Sequence, residues 1–152
     1  MLLSACSTTP ISFQNALERN QINSLELNKK MMDLSAEISR ITDLSGITDR
    51  KHIPRISYFN EEDAVYYGLK KSNEQKSYYY NFNHRTIIIT HPFDDYFLSD
   101  EEKIALLAHE MTHYLQHREK VLLKLECVAA LEKDAYKVQF HFLKKAGYSI
   151  TE

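Results

Sequence analysis

The stretch AHEMTHYLQH, Ala108 to His117, carries three histidines four residues apart and a glutamate directly after the first. On a helix, residues four apart lie one turn apart on one face, so His109 and His113 can bring two imidazole nitrogens to a single metal ion. Glu110 flanks that face, where a carboxylate can reach a water beside the ion without ligating it. His117 continues the spacing, but eight residues of straight helix rise ~12 Å, too far for three rings to share one ion. The pattern His109-Glu110-Met111-Thr112-His113 is therefore an HExxH sequence. A chain of this composition would show roughly 0.03 such matches by chance, so the motif is informative. The competing reading is a polar helix that happens to be rich in histidine.

The elements around the motif must hold it. Ser99-Asp100-Glu101-Glu102 reads as a capping box, with Ser99 as N-cap and a helix running to about Lys120. Ile104, Leu107, Ala108, Met111 and Leu115 form an apolar stripe opposite the histidines, the anchoring an active-site helix needs. Val121–Lys145 reads as a second helix, with Leu122, Leu125, Val128, Ala129 and Leu131 as its first apolar face and Gly147 as its stop. A catalytic zinc usually keeps three protein ligands and an open position. Two carboxylates on this second helix, Glu126 and Glu132, are candidates for the third.

Upstream, Asn15 to about Leu44 shows helical spacing through Leu25, Met32, Leu34, Ile38 and Ile41, with Gly46 as a plausible stop. His52–Asn60 alternates as a half-buried strand does, Glu61–Lys71 is ambiguous, and Lys71–Lys76 is a solvated loop. Tyr78–Phe82 and Arg85–Thr90, separated by Asn83-His84, suggest a hairpin that ends at His91-Pro92. Residues 1–12 read as a tail and 13–152 as a single α+β domain. Within it, 13–46 form an N-terminal helical region, 50–98 a sheet region and 99–147 the active-site helices.

Glu132-Lys133-Asp134-Ala135-Tyr136 brings in a family likeness. It resembles the glutamate motif of gluzincins, HExxH metallopeptidases whose third ligand is a glutamate on a following helix. The spacing from His113 is also similar to that of thermolysin-like enzymes. The resemblance spans roughly Thr86 to Gln139 and implies a minimal zincin-like domain, a small sheet packed on an HExxH helix and a glutamate-bearing helix. It implies one Zn²⁺ per chain held by His109, His113 and Glu132, with Glu110 as general base and Tyr136 behind a histidine ligand. It further implies a peptide or protein substrate lying along the strand Arg85–Thr90, taken as a sheet edge. A second oxyanion donor is often His or Tyr; His141, Tyr136, Tyr148 and His91 are available and no spacing rule selects among them. The metzincin pattern is absent, because Gln116 and Glu119 replace its glycine and last histidine.

Composition sets the outer limits. The chain has 152 residues, 43% hydrophobic and 26% charged, with a net charge of −2, which makes no electrostatic case for nucleic acid or anionic lipid. Its two cysteines, Cys6 and Cys127, cannot build a disulfide framework. Leu3-Ser4-Ala5-Cys6 resembles the lipobox of bacterial lipoproteins, which implies acylation at Cys6 and an anchor in the cell envelope, on the periplasmic side, with the outer membrane as one place for it. The alternative is an ordinary cytoplasmic N-terminus. Three function classes follow: a small zinc metallopeptidase, a non-catalytic zincin-like module that binds zinc and a protein partner, and a metal-free structural lipoprotein. The sequence is silent on oligomeric state.

Overall fold

The computed structural model describes residues 11–72, 78–90, 100–120 and 128–151. Its helices are α1 (Phe13–Arg19), α2 (Leu25–Ile41), α3 (Glu61–Tyr66), α4 (Glu101–Arg118) and α5 (Val128–Lys145). The strands are β1 (Arg55–Tyr58), β2 (Tyr78–Asn81) and β3 (Thr86–Ile89), with a 3-10 turn at Arg50–His52. Helices and a mixed sheet together make this an α+β fold.

The N-terminal helix expected from Asn15 to about Leu44 is two helices. Asn20 ends α1, and the backbone then runs beside β1: Ile22 N–H donates to the Ile56 carbonyl at 2.9 Å and Tyr58 N–H to that of Asn20 at 3.0 Å. Ser24 restarts the helix by accepting from the Leu27 amide. The polar residues here kept a helical rhythm while their backbone served the sheet. Gly46 does not stop α2, which ends at Ile41 with Thr42 as its cap. A Cβ on Gly46 would lie 3.3 Å from the Ser35 carbonyl oxygen, a tight contact, so glycine lets the loop pass close to α2 there.

The expected hairpin forms between β2 and β3, which pair antiparallel with Tyr79 opposite Ile88. Its strands stop at Asn81 and resume at Thr86, leaving a turn over 82–85 with Arg85 at φ 49°. β1 pairs with β3 in parallel, so the strand order is β1-β3-β2 and β3 is central. The expectation that Arg85–Thr90 forms a sheet edge is therefore corrected: both its sides carry ladders, and β1 and β2 are the outer strands among the described residues, β1 with residues 20–22 along its other side. All four residues of β3 are buried. Ile87 and Ile89 face the larger core with α2, α4 and Val138 of α5, while Ile88 joins Ala16, Leu17, Phe59 and Ala64 on the opposite face. Each of the fully buried Ile, Leu and Phe side chains contributes roughly 1.5–3 kcal/mol.

The cap of α4 is Asp100, whose carboxylate accepts from the amides of Glu102 and Lys103; Ser99, the expected cap, lies outside the described residues. Acids in the first turn and His117 with Arg118 in the last suit the helix dipole. Leu107, Ala108, Met111 and Leu115 are fully buried as their spacing predicted. The buried face of α5 is Leu131, Ala135 and Val138 rather than one including Val128, which is 73% exposed. The expected Leu122 and Leu125 lie outside the described residues.

Candidate metal centre

α4 and α5 pack against each other and bring three side chains to one point: His109 and His113 from α4, Glu132 from α5. The two imidazole Nε2 atoms are 3.2 Å apart. Glu132 places Oε2 3.3 Å from the His109 Nε2 and Oε1 3.1 Å from that of His113. Four tetrahedral ligands at zinc–ligand distances of 2.0–2.1 Å would be separated by about 3.3 Å, close to the nearest contact of each pair here, with the two histidines meeting different oxygens of Glu132. The local fold accounts for the convergence. One helical turn stacks the two rings, with centroids 4.9 Å apart, and Leu131, buried immediately before Glu132, seats that part of α5 against α4.

The electrostatics also suit a cation. The His109 pKa is held below its ordinary value by burial first and then by neighbouring His113, with Glu132 pulling the other way. The neutral imidazole this favours is the form that binds metals. The Nδ1 atom of His109 is buried without a well-formed hydrogen bond, although the Gln139 side chain lies beside the ring. Both histidines are buried, whereas the Glu132 side chain is 41% exposed, so the cluster opens to solvent on the α5 side.

Glu110 is buried against the sheet, and its Oε2 accepts from the Tyr80 backbone N–H on β2 at 2.7 Å. The acid next to the first histidine is thus held at the outer strand. Tyr136 packs its ring edge-on against His109, with centroids 4.7 Å apart, and stays 47% exposed. His141 is not brought to the cluster: its Nε2 lies 2.8 Å from Glu37 Oε1 on α2. Tyr148 interacts with Glu102 at the start of α4. Cys6, His91, Glu126 and Cys127 lie outside the described residues.

His117 stands apart from the three donors, as the helical rise required. Its Nδ1 lies 2.7 Å from the Tyr80 hydroxyl. Burial, and then Tyr114, push the Tyr80 phenol above its ordinary pKa, while burial and then Arg85 pull His117 below its own. Phe82 packs between this pair and the cluster, with ring contacts to Tyr80, His113 and His117, and is 41% exposed. Phe82 and Gln116 are the site neighbours that sequence reasoning missed, while Tyr80 belongs to the run Tyr78-Tyr79-Tyr80, whose sequence suits either groove lining or strand packing. For Gln116 one signal was present, a polar residue three positions after a ligand histidine and next to the buried Leu115.

These features define a class: a small α+β domain that presents a two-histidine, one-carboxylate cluster between two packed helices, with a further acid beside it. Residues 26–151 match the family model described as Domain of unknown function (DUF6647), and the chain belongs to that family. The matched span includes the whole sheet, the three clustered donors and Glu110. Searches of curated proteins and of solved structures yield no match.

Proposed function

We propose that this protein is a zinc-dependent metallopeptidase of gluzincin type with a zincin-like fold. The observation that carries the reading is the meeting of His109, His113 and Glu132 donors at 3.1–3.3 Å contacts, with Glu110 next to His109 in the chain. Bound there, zinc would supply an activated water and a Lewis acid for the scissile carbonyl. The two histidines and Glu132 hold the ion. Glu110 takes the proton of the attacking water as general base and passes it to the leaving amine. The Tyr80 amide, by holding Glu110 Oε2, limits how that carboxylate can turn. Tyr136 supports the His109 ring from the α5 side.

The substrate is a peptide or protein. Since β3 is central, the backbone that a substrate strand would pair with belongs to β2, not to Arg85–Thr90. The lipobox-like Leu3–Cys6 supports a location in the bacterial cell envelope, with a lipid on Cys6. Among the described residues no helix is long and apolar enough to cross a membrane.

Elemental mass spectrometry of the purified protein beside Glu132→Ala, followed by turnover of a peptide library by wild type and Glu110→Gln, tests the reading. The expected result is about one zinc per chain in wild type, much less in Glu132→Ala, and zinc without turnover in Glu110→Gln. Zinc with no turnover in wild type would favour the non-catalytic zinc-binding module. No zinc in either protein would leave the metal reading without support.

A further inference from the structure

We infer that Gln116 is a positioning residue that sets the tautomer of His113, so that this ring turns the lone pair of Nε2, and not that of Nδ1, toward Glu132 and His109. Gln116 is 1% exposed and one helical step from His113 on α4. Its amide makes two contacts. Nε2 donates to the Leu131 carbonyl at 3.1 Å, and Oε1 lies 3.0 Å from His113 Nδ1. A backbone carbonyl can only accept, so the NH₂ end of the amide must face Leu131. The oxygen end then faces the imidazole, and Nδ1 has to carry the proton. The flipped amide would set two carbonyl oxygens against each other in a buried site, where each unmet acceptor costs free energy. With its proton on Nδ1, the neutral ring has its lone pair on Nε2, the atom 3.1 Å from Glu132 Oε1.

The same side chain links both ligand-bearing helices. Leu131 immediately precedes Glu132, so the hydrogen bond from Gln116 fixes the α5 backbone one residue from the carboxylate donor. The counterpart at His109, Gln139, lies beside the ring but makes no well-formed hydrogen bond to its Nδ1. The two histidines are therefore unequally prepared: His113 is set in advance by Gln116, and His109 is steered chiefly by its packing against Tyr136 and His113. Groups that orient a ligand histidine through its remote nitrogen typically change metal affinity by 10–100-fold when removed. The structural statement about His113 stands independently of peptidase activity, and its functional meaning rests on the zinc reading above.

Long-range ¹H–¹⁵N spectra of the metal-free, ¹⁵N-labelled full chain read the tautomer directly, with His113 assigned by comparison with His113→Asn. Zinc titration against a competing chelator reads the consequence. The unsubstituted protein should show Nδ1–H at His113. Gln116→Met, similar in length but without an acceptor, should lose that preference and bind zinc about 10–100-fold more weakly. Gln116→Glu keeps an acceptor toward His113 but loses the donor to the Leu131 carbonyl, so it should retain the tautomer and recover only part of the affinity. An Nε2–H tautomer in the unsubstituted protein overturns the inference, and that measurement needs no variant to fold. Wild-type tautomer and affinity in a folded Gln116→Met chain would overturn it equally. An Nδ1–H tautomer with zinc bound but no turnover supports the inference while ending the peptidase reading.

Discussion

The two faces of the sheet bury different chemistry. On one, Ile88 packs with Ala16, Leu17, Phe59 and Ala64 in an apolar cluster whose buried polar neighbour, Ser57, donates its hydroxyl to the Leu17 carbonyl. On the other, α4 buries His109, Glu110, Thr112, His113 and Gln116 within a few turns. Thr112 returns its hydroxyl to the Ala108 carbonyl, Gln116 reaches Leu131, and Glu110 reaches Tyr80, so these groups are satisfied locally. The three donors that converge are another matter. Two imidazoles and a carboxylate at 3.1–3.3 Å satisfy one another poorly without a shared cation or proton. Converging groups that do not solve their own electrostatics mark the face proposed as functional, and complete apolar packing marks the scaffold face.

Disabling each face should therefore give opposite results. Glu110→Gln on the functional face should lower turnover by about 10²–10⁴-fold, the usual scale for a general base, while zinc content and unfolding midpoint stay near wild type. Steady-state kinetics beside metal analysis checks this. Phe59→Ala on the scaffold face should cost about 3–5 kcal/mol in denaturant unfolding and leave the zinc affinity of the folded fraction unchanged. If Phe59→Ala instead weakened zinc binding in the folded protein, the two faces would not be separable.

A smaller effect sharpens the contrast. A ligand that binds only the folded state stabilises it by about 2.7 kcal/mol at a free concentration 100 times its dissociation constant. Chelation should remove that increment from wild type and from the scaffold variant Ile88→Val, but should do nothing to Glu132→Ala. Thermal unfolding with and without zinc measures all three. An equal zinc response in Glu132→Ala would mean that the stabilising ion sits elsewhere.

Legibility in the sequence followed the range of the interactions. The i, i+4 spacing of His109 and His113 and the apolar stripe of α4 are local, so both could be read directly. Glu132 lies nineteen residues beyond His113, and periodicity alone left it level with Glu126; the family resemblance singled it out. The centrality of β3 was not legible, because Ile87-Ile88-Ile89 would look the same on a central strand and on a covered edge. The break between α1 and α2 was hidden because Asn20 and Ile22 give backbone, not side-chain, groups to β1. His141 looked available for the site since nothing in its neighbourhood in the chain announces Glu37, 104 positions away.

That last contact carries the smallest prediction and concerns how the scaffold seats the functional face. Glu37 on α2 accepts from Lys145 Nζ at 2.8 Å and lies equally close to His141 Nε2, joining α2 to the helix that bears Glu132. Burial alone would raise the Glu37 pKa, but Lys145 and His141 outweigh it and hold the carboxyl below its ordinary value. A carboxyl depressed on folding contributes stability that is fully present above its unfolded value, near 4.5, and is lost as pH falls through the lower folded value. Lys145 is 63% exposed, so solvent screens its part, and Glu37→Gln should cost only about 1 kcal/mol at neutral pH. Urea midpoints for wild type and variant should differ at pH 7 and converge once the pH drops below the folded carboxyl value. A difference that persisted unchanged in acid would assign the contact to packing of the side chain rather than to its charge. Zinc affinity should hardly move in either case, because α5 is held against α4 by Leu131, Ala135 and Val138 far more than by this pair.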